Sequence, residues 1–334
     1  IQGVVGVDQQ LTKRTTLSVN YTNTRGVHQY RTIDINAPLP GTFVVGQPNS
    51  GDRPYGDIGD IYQYQSTGTL KQNQVLVRVN SQVGKWLSLF GAYIYSNAHS
   101  DTDGLGSLPS NPYDLHDEWG RSQLGITNRT FIGGAISAPW HIRLSPFLTA
   151  RSGTPFSIIS GRDNNGDGNL SDDRPGIASG PGPNIVSTPY GYLNLSPQPG
   201  DKTLQRNSLL GPSQFSVNLR ISRTWGFGTT KVAGMVGGSS SRGGGMRGGG
   251  GGGGRRGGGG GPGGGFGDSL TEHRYNLTLS VSARNLFNTV NYLPPVNNIG
   301  SPNFLDYTGI AGGFGAESQS STNRRIDIQL RFAF

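Results

Sequence analysis

The last ten residues, Arg325-Ile-Asp-Ile-Gln-Leu-Arg-Phe-Ala-Phe334, alternate apolar and polar side chains and stop on an aromatic. Successive side chains of a strand point to opposite faces, so Ile326, Ile328, Leu330, Phe332 and Phe334 share one face. Arg325, Asp327, Gln329 and Arg331 share the other. A half-buried strand in a soluble sandwich shows the same alternation. A tilted strand needs about 9 to 11 residues to cross a bilayer, however, and this one has that length.

Composition narrows the choice. Only 32% of the 334 residues are hydrophobic, thin for a soluble core of that size but sufficient for a barrel whose wall is apolar on one side only. No apolar run is long enough for a transmembrane helix. The start, Ile1-Gln-Gly-Val-Val, has neither an initiator Met nor the basic and apolar regions of a signal peptide, so an upstream part of a longer chain is expected. Cysteine is absent, which excludes disulfides and thiolate metal sites. The formal charge of +8 invites a nucleic-acid reading, but the basic residues form no single helix or stripe, and no nucleic-acid partner is expected. His28, His99, His116, His141 and His273 stand too far apart for a histidine metal centre.

The alternation recurs upstream. Tyr275, Leu277, Leu279, Val281 and Ala283 interleave with Arg274, Asn276, Thr278, Ser280, Ser282 and Arg284. Phe215, Val217, Leu219 and Ile221 do the same with Ser216, Asn218, Arg220 and Ser222, and Ile142, Leu144, Leu148 and Ala150 repeat it across an interrupting Pro146. Further strands are predicted around Leu17 to Tyr21, Val75 to Val79 and Trp86 to Tyr95, and over residues 1 to 9 and 121 to 138. Short turns near Thr12 to Arg14, Gly84 to Lys85 and Ala138 to His141 take turns with long loops from about Gly26 to Gly59, Asp101 to Trp119, Gly161 to Asp201 and Asn288 to Thr322. Up-and-down outer-membrane barrels have this asymmetry, with short periplasmic turns and long external loops. The fold class read from this is all-β, an antiparallel up-and-down transmembrane β-barrel. Roughly nine strands is an odd number, and an open sheet in lipid exposes unpaired backbone groups. The barrel is therefore incomplete, about nine C-terminal strands of a larger wall spanning residues 1 to 334.

One turn breaks the rhythm. Residues 237 to 265 are nearly all Gly, with Arg242, Arg247, Arg255 and Arg256 interspersed. Arginine-rich disordered segments bind RNA, but neither an aromatic platform nor a folded RNA module accompanies the tract. It reads as a disordered insertion in a periplasmic turn.

Only one cluster resembles a site. In Asp163-Asn-Asn-Gly-Asp-Gly-Asn-Leu-Ser-Asp-Asp-Arg-Pro175, oxygens fall at Asp163, Asn165, Asp167, the Asn169 carbonyl, Ser171 and Asp173, with Gly168 at the sharp turn. The spacing matches the first half of a calcium loop, and it departs where Arg174 stands in place of a bidentate Glu. The alternative is a turn-rich loop whose Asn, Asp and Gly satisfy its own backbone. Ca2+ is thus a candidate ion for this loop, and no cofactor is required. No nucleophile elbow or phosphate loop appears, so no enzyme is expected, and Asp114, Asp117 and Glu118 read as solvated acids of a polar loop.

Several stretches carry a family resemblance. Gly6-Val-Asp-Gln-Gln-Leu, Thr16-Leu-Ser-Val-Asn-Tyr-Thr-Asn-Thr-Arg-Gly-Val-His-Gln-Tyr-Arg and Asp34-Ile-Asn-Ala-Pro resemble the barrel of TonB-dependent receptors of the Oar-like group, as do Ala283-Arg-Asn-Leu-Phe-Asn-Thr-Val-Asn-Tyr292, the Asp163 to Pro175 loop and the terminal Phe. The resemblance implies an outer-membrane barrel of about 22 strands in a Gram-negative cell, with a plug domain outside this chain, coupling to the TonB complex and a bulky solute of unknown identity. It implies that Leu330, Phe332 and Phe334 form the signal read by the barrel-assembly machinery. Outer-membrane lipid would surround the wall, and Arg220, Arg274, Arg284, Arg325 and Arg331 would face the lumen. An outer-membrane anchor displaying adhesive loops and a passive porin remain as alternatives.

Overall fold

The structure, a computed structural model, describes residues 1–47, 50–198, 200–230, 271–311 and 323–334. The Gly/Arg tract at 237 to 265 lies outside the described residues. The wall strands are β1 (Gln2–Thr12), β2 (Thr15–Asp34), β3 (Tyr62–Val83), β4 (Leu87–Ser100), β6 (Asn128–Ala138), β7 (Ile142–Arg151), β13 (Gln214–Thr230), β14 (His273–Arg284) and β15 (Arg325–Ala333). They pair antiparallel in that order, each with the next, while β5 (Gly120–Arg121) adds to the end of β4. Among the described residues β1 and β15 do not pair with each other, so the sheet is an open, incomplete barrel with two free edges.

Burial on this sheet is inverted relative to a water-soluble one. On β14, Asn276, Thr278 and Ser280 are each only 3% exposed, whereas the interleaved Leu279 and Val281 are 37% and 36% exposed. The polar side chains satisfy one another across the ladder: Thr224 and Thr278 hydroxyls lie 2.9 Å apart, and the Arg220 guanidinium donates to Ser280 Oγ at 3.2 Å. On β13 the same parity puts Ile221, Trp225 and Phe227 outside and Ser222 and Thr224 inside. An apolar outer face over a hydrogen-bonded polar inner face is what hydrocarbon outside and water inside select.

Arg223 interrupts the outer face. Its guanidinium lies 5.0 Å from the Trp225 ring centroid, so the charge is carried along the strand onto an aromatic face. Below it, Phe227, Tyr275 and Phe332 stack with centroids 6.0 to 6.3 Å apart, and Phe334 adds to Phe332 at 6.2 Å. Trp86 and Trp140, beside the other short turns, are 54% and 75% exposed. Together they form an aromatic rim at the short-turn end, where ring and headgroup levels coincide in membrane proteins.

Two expectations change. The first long loop begins later than Gly26: β2 continues to Asp34, its register to β3 shifting at Gly26/Gln29 and Gln29/Arg31, with His28 at φ 58°. Such an irregularity re-aims the strand and lets pairing resume beyond it. The strand expected over 121 to 138 starts at Asn128, because residues 122–127 turn back under β4. The strand read across Pro146 does continue through it, as β7. The ladder to β13 runs through Leu219/Pro146, and the donor that proline lacks falls on the β6 side, where pairing skips from Gly133/Phe147 to Ile136/Leu144.

The long loops fold rather than trail. Phe156, Ile158, Leu193, Leu195 and Ile299 form a small buried core flanked by Val186, Leu204, Leu209 and Phe304. Over it lie a three-stranded sheet, β10 (Ile185–Thr188), β11 (Gly191–Asn194) and β9 (Gly176–Ala178), and the pair β8 (Pro155–Phe156) with β12 (Leu209–Leu210). No described helix is long and apolar enough to cross a membrane.

Candidate functional site

At the long-loop rim, the loops after β2, β4 and β7 meet around buried charge. Glu118 is 4% exposed. It takes a two-pronged grip from Arg174, at 2.9 and 3.1 Å, while Arg206 Nε donates to its backbone oxygen at 2.8 Å. Arg206 also pairs with Asp103 at 2.6 Å and donates to the Ser100 carbonyl. Glu118 is therefore not the solvated acid its loop composition implied: two arginines from one distant loop desolvate and neutralise it. Asp114 and Asp117 remain exposed. Arg174, which stands where a calcium loop would end on Glu, closes its loop by this ion pair instead.

The Asp163 to Asp173 segment packs against both neighbouring loops. Ser110 Oγ donates to the Asp172 carbonyl at 2.7 Å, Tyr62 OH to the Asp167 carbonyl at 2.9 Å, and Arg53 to the Gly166 carbonyl at 2.8 Å. Within it, Asp163 accepts from the Gly166 and Gly168 amides, Asn165 Oδ1 from the Asp167 amide, Asp167 Oδ1 from the Asn169 amide, Asn169 Oδ1 from Ser171, and Asp173 Oδ2 from the Asn164 amide. Gly166 and Gly168 adopt φ of 80° and 76°, the left-handed turns this wrapping requires. The side chains named from spacing thus each order a local turn. Among the described residues no three acidic or histidine side chains converge as a ready-made metal site.

Asp172 is the residue that spacing missed. Its carboxylate oxygens are buried and lie against the Asp167 carboxylate, with which they share a hydrogen bond. Burial, reinforced by the charges of Asp167 and Asp173, pushes Asp172 far above the ordinary carboxylate range, and burial with the charge of Asp163 raises Asp167 to about 6 although its hydrogen bonds oppose the shift. Asp173, 2% exposed, is raised to about 8, chiefly by burial. The signal was available: a fourth acid, next to Asp173, inside an oxygen-rich loop.

A cleft of about 480 Å3 opens beside this cluster, lined by Pro38, Phe43, Tyr113, Asp117, Asp173 and Lys202 among others. It is part apolar and part charged.

The arginines singled out earlier lie on the wall. Arg220, Arg284, Arg325 and Arg331 pair opposite Ser282, Arg325, Arg284 and Thr278 on the polar face, and Arg274 shares that parity near the short-turn rim. Asp327 bridges Arg284 at 3.1 Å and Arg325 at 3.3 Å. Leu330, Phe332 and Phe334 run along the outward face of β15, the free edge.

Comparison with known proteins follows the same line. A family model for an outer membrane beta barrel domain matches residues 2–234. No curated protein matches the sequence. The outer membrane transporter YddB from Escherichia coli has a similar solved structure, with a TM-score of 0.42 and 10% identity over 99% of this chain and 31% of that one. This chain thus spans about a third of that protein's length. The family match covers most of the chain, and the inverted wall explains why: the chain belongs to the outer membrane β-barrel domain family, and its place is the outer membrane.

Proposed function

We propose that the chain forms part of the wall of a TonB-dependent transporter of the Oar-like group, with the long loops outside the cell and the short turns in the periplasm. The carrying observation is that nine consecutive wall strands remain unclosed. A wall completed to about 16 strands or more has a lumen too wide for side chains to fill, and the largest such barrels hold a plug. The polar face with its arginines supplies a charged lining against which a plug or a solute packs. The cleft between the folded loops gives an entering solute its first contact surface. Outer-membrane lipid contacts the apolar face, and the terminal β15 residues engage the assembly machinery.

The test uses the full-length protein in planar bilayers and in detergent. A plugged transporter shows no steady ohmic conductance and retains the purified periplasmic domain of TonB. Steady conductance without TonB retention would overturn the proposal in favour of a passive porin. Neither conductance nor retention would leave the anchor reading.

A further inference from the structure

The outward face of β2, β3 and β4 changes character from the short-turn end to the long-loop end. Val19, Val77 and Tyr93 stand side by side across the three strands, followed by Tyr21, Val75 and Tyr95. Asn23, Asn73 and Asn97 form the next row, and the Tyr21 hydroxyl donates up into it, to Asn73 Oδ1 at 2.8 Å. The row above is basic: Arg25 stands opposite Lys71, Lys71 opposite His99, and His99 opposite Arg121 of β5. From Val83, at the short-turn end of β3, to Lys71 the rise is roughly 31 Å at about 3.4 Å per residue and a tilt near 40°, just beyond an apolar band about 25 Å tall. The row therefore lies at headgroup level.

Like charges directly opposite one another weaken a sheet, and this row contains no acid to offset them. Among the described residues no carboxylate pairs with Arg25, Lys71 or Arg121, and all three are exposed. Asp101 and Asp103, which follow β4, are taken by Arg31 and Arg206. Trp119 gives the row a platform. Lys71 Nζ lies 5.5 Å from its ring centroid, and the His99 ring stacks against it at 6.2 Å. A recess of about 240 Å3 opens there, lined by Arg25, Thr69, Leu70, Lys71 and Trp119.

We propose that this row binds a phosphorylated lipid of the external leaflet, its headgroup phosphates held by Arg25, Lys71 and Arg121 and its body packed into the recess against Trp119. The assignment rests on the orientation proposed above, with the long loops outside the cell. Guanidinium groups offer paired donors to phosphate oxygens, and the ammonium adds a compact charge. A soluble anion would engage the cations and leave the apolar rows below them unused. A lipid engages both at once, because its phosphate is already held at this depth.

The experiment titrates bisphosphorylated lipid A into the full-length protein in detergent, read by native mass spectrometry, with phosphatidylcholine and inorganic phosphate as comparisons. The double variant Arg25→Gln/Lys71→Gln removes two exposed cations. Arg78→Gln is the control, since it stands opposite Ser18 and Ala92 on the other face of β3. Heat-modifiable gel migration checks that each variant forms a barrel. Lipid A should bind the wild type more tightly than phosphatidylcholine does and resist displacement by inorganic phosphate. Its affinity should fall at least about tenfold in the double variant and stay unchanged in Arg78→Gln. Equal lipid A binding in wild type and double variant, equal binding of the two lipids to the wild type, or displacement by inorganic phosphate would overturn the proposal. Labelling of Tyr55→Cys, 59% exposed on the loop after β2, by a membrane-impermeant maleimide in intact cells reads the orientation separately. Labelling without lipid A preference overturns the lipid site alone, whereas no labelling overturns the orientation and the leaflet with it.

Discussion

Replacing Leu279 with Arg tests the face assignment of the wall. Leu279 stands four residues along β14 from Tyr275 in the aromatic rim. At about 3.4 Å per residue and a tilt near 40°, that is roughly 10 Å of depth, close to the middle of an apolar band about 25 Å tall. An arginine facing lipid at that depth costs about 2 to 4 kcal/mol. Here the upper half applies, because Arg223 already lies directly opposite Leu279 and occupies the route onto Trp225. A loss of about 3 to 4 kcal/mol corresponds to a change of roughly a hundredfold to a thousandfold in the folding equilibrium. Gln329→Arg is the matched control: it pairs opposite Ser280 on the polar face and is exposed there, so its loss should stay below about 1 kcal/mol. Reversible denaturant unfolding of the full-length protein from phospholipid vesicles, followed by tryptophan fluorescence, reads both. Similar losses at the two positions, or a larger one at Gln329, would refute the assignment.

Other perturbations probe the loops and the closing strand. Glu118→Gln removes the charge that neutralises Arg174 and neighbours Arg206, a change worth about 3 to 5 kcal/mol for a buried pair, and should show as faster protease cleavage of the long loops with the wall intact. Gly153→Ala places a Cβ 1.7 Å from the Gly211 carbonyl oxygen. That contact forces the backbones apart at about 1 to 3 kcal/mol, so amide exchange should accelerate at Phe156 and Leu209, which pair just beyond. Phe334→Ala should leave refolding in vesicles unchanged, since the residue is 90% exposed and, among the described residues, its ring lies tilted against Phe332. Its amount in the outer membrane of cells should nevertheless fall severalfold, as judged by heat-modifiable migration, if β15 is read during assembly.

The wall was legible where period-two alternation is clean. Tyr275 to Arg284, Phe215 to Ser222 and Arg325 to Phe334 needed nothing else, because a one-residue slip would swap every side chain between lipid and water. The upper half of β2 was hidden by the irregularity near His28, which breaks the period while the pairing continues. The loop core was illegible for another reason. Ile158 and Ile299 meet across a long stretch of sequence, and nothing periodic marks either. The grip of Arg174 and Arg206 on Glu118 likewise joins loops whose local composition reads as solvated. At Asp172 the spacing template misled. It directed attention to alternate positions, while the acid between them places its carboxylate against Asp167.

The wall faces hydrocarbon on one side and a polar lumen on the other. The chain contains no cysteine, so single cysteines introduced at successive positions from Tyr275 to Arg284 carry a fluorophore without competing thiols. Quenching by doxyl-labelled lipid measures which of them face the bilayer. Strong quenching is expected at 277, 279, 281 and 283 and weak quenching at 276, 278, 280 and 282. Uniform quenching, or the opposite alternation, would contradict it.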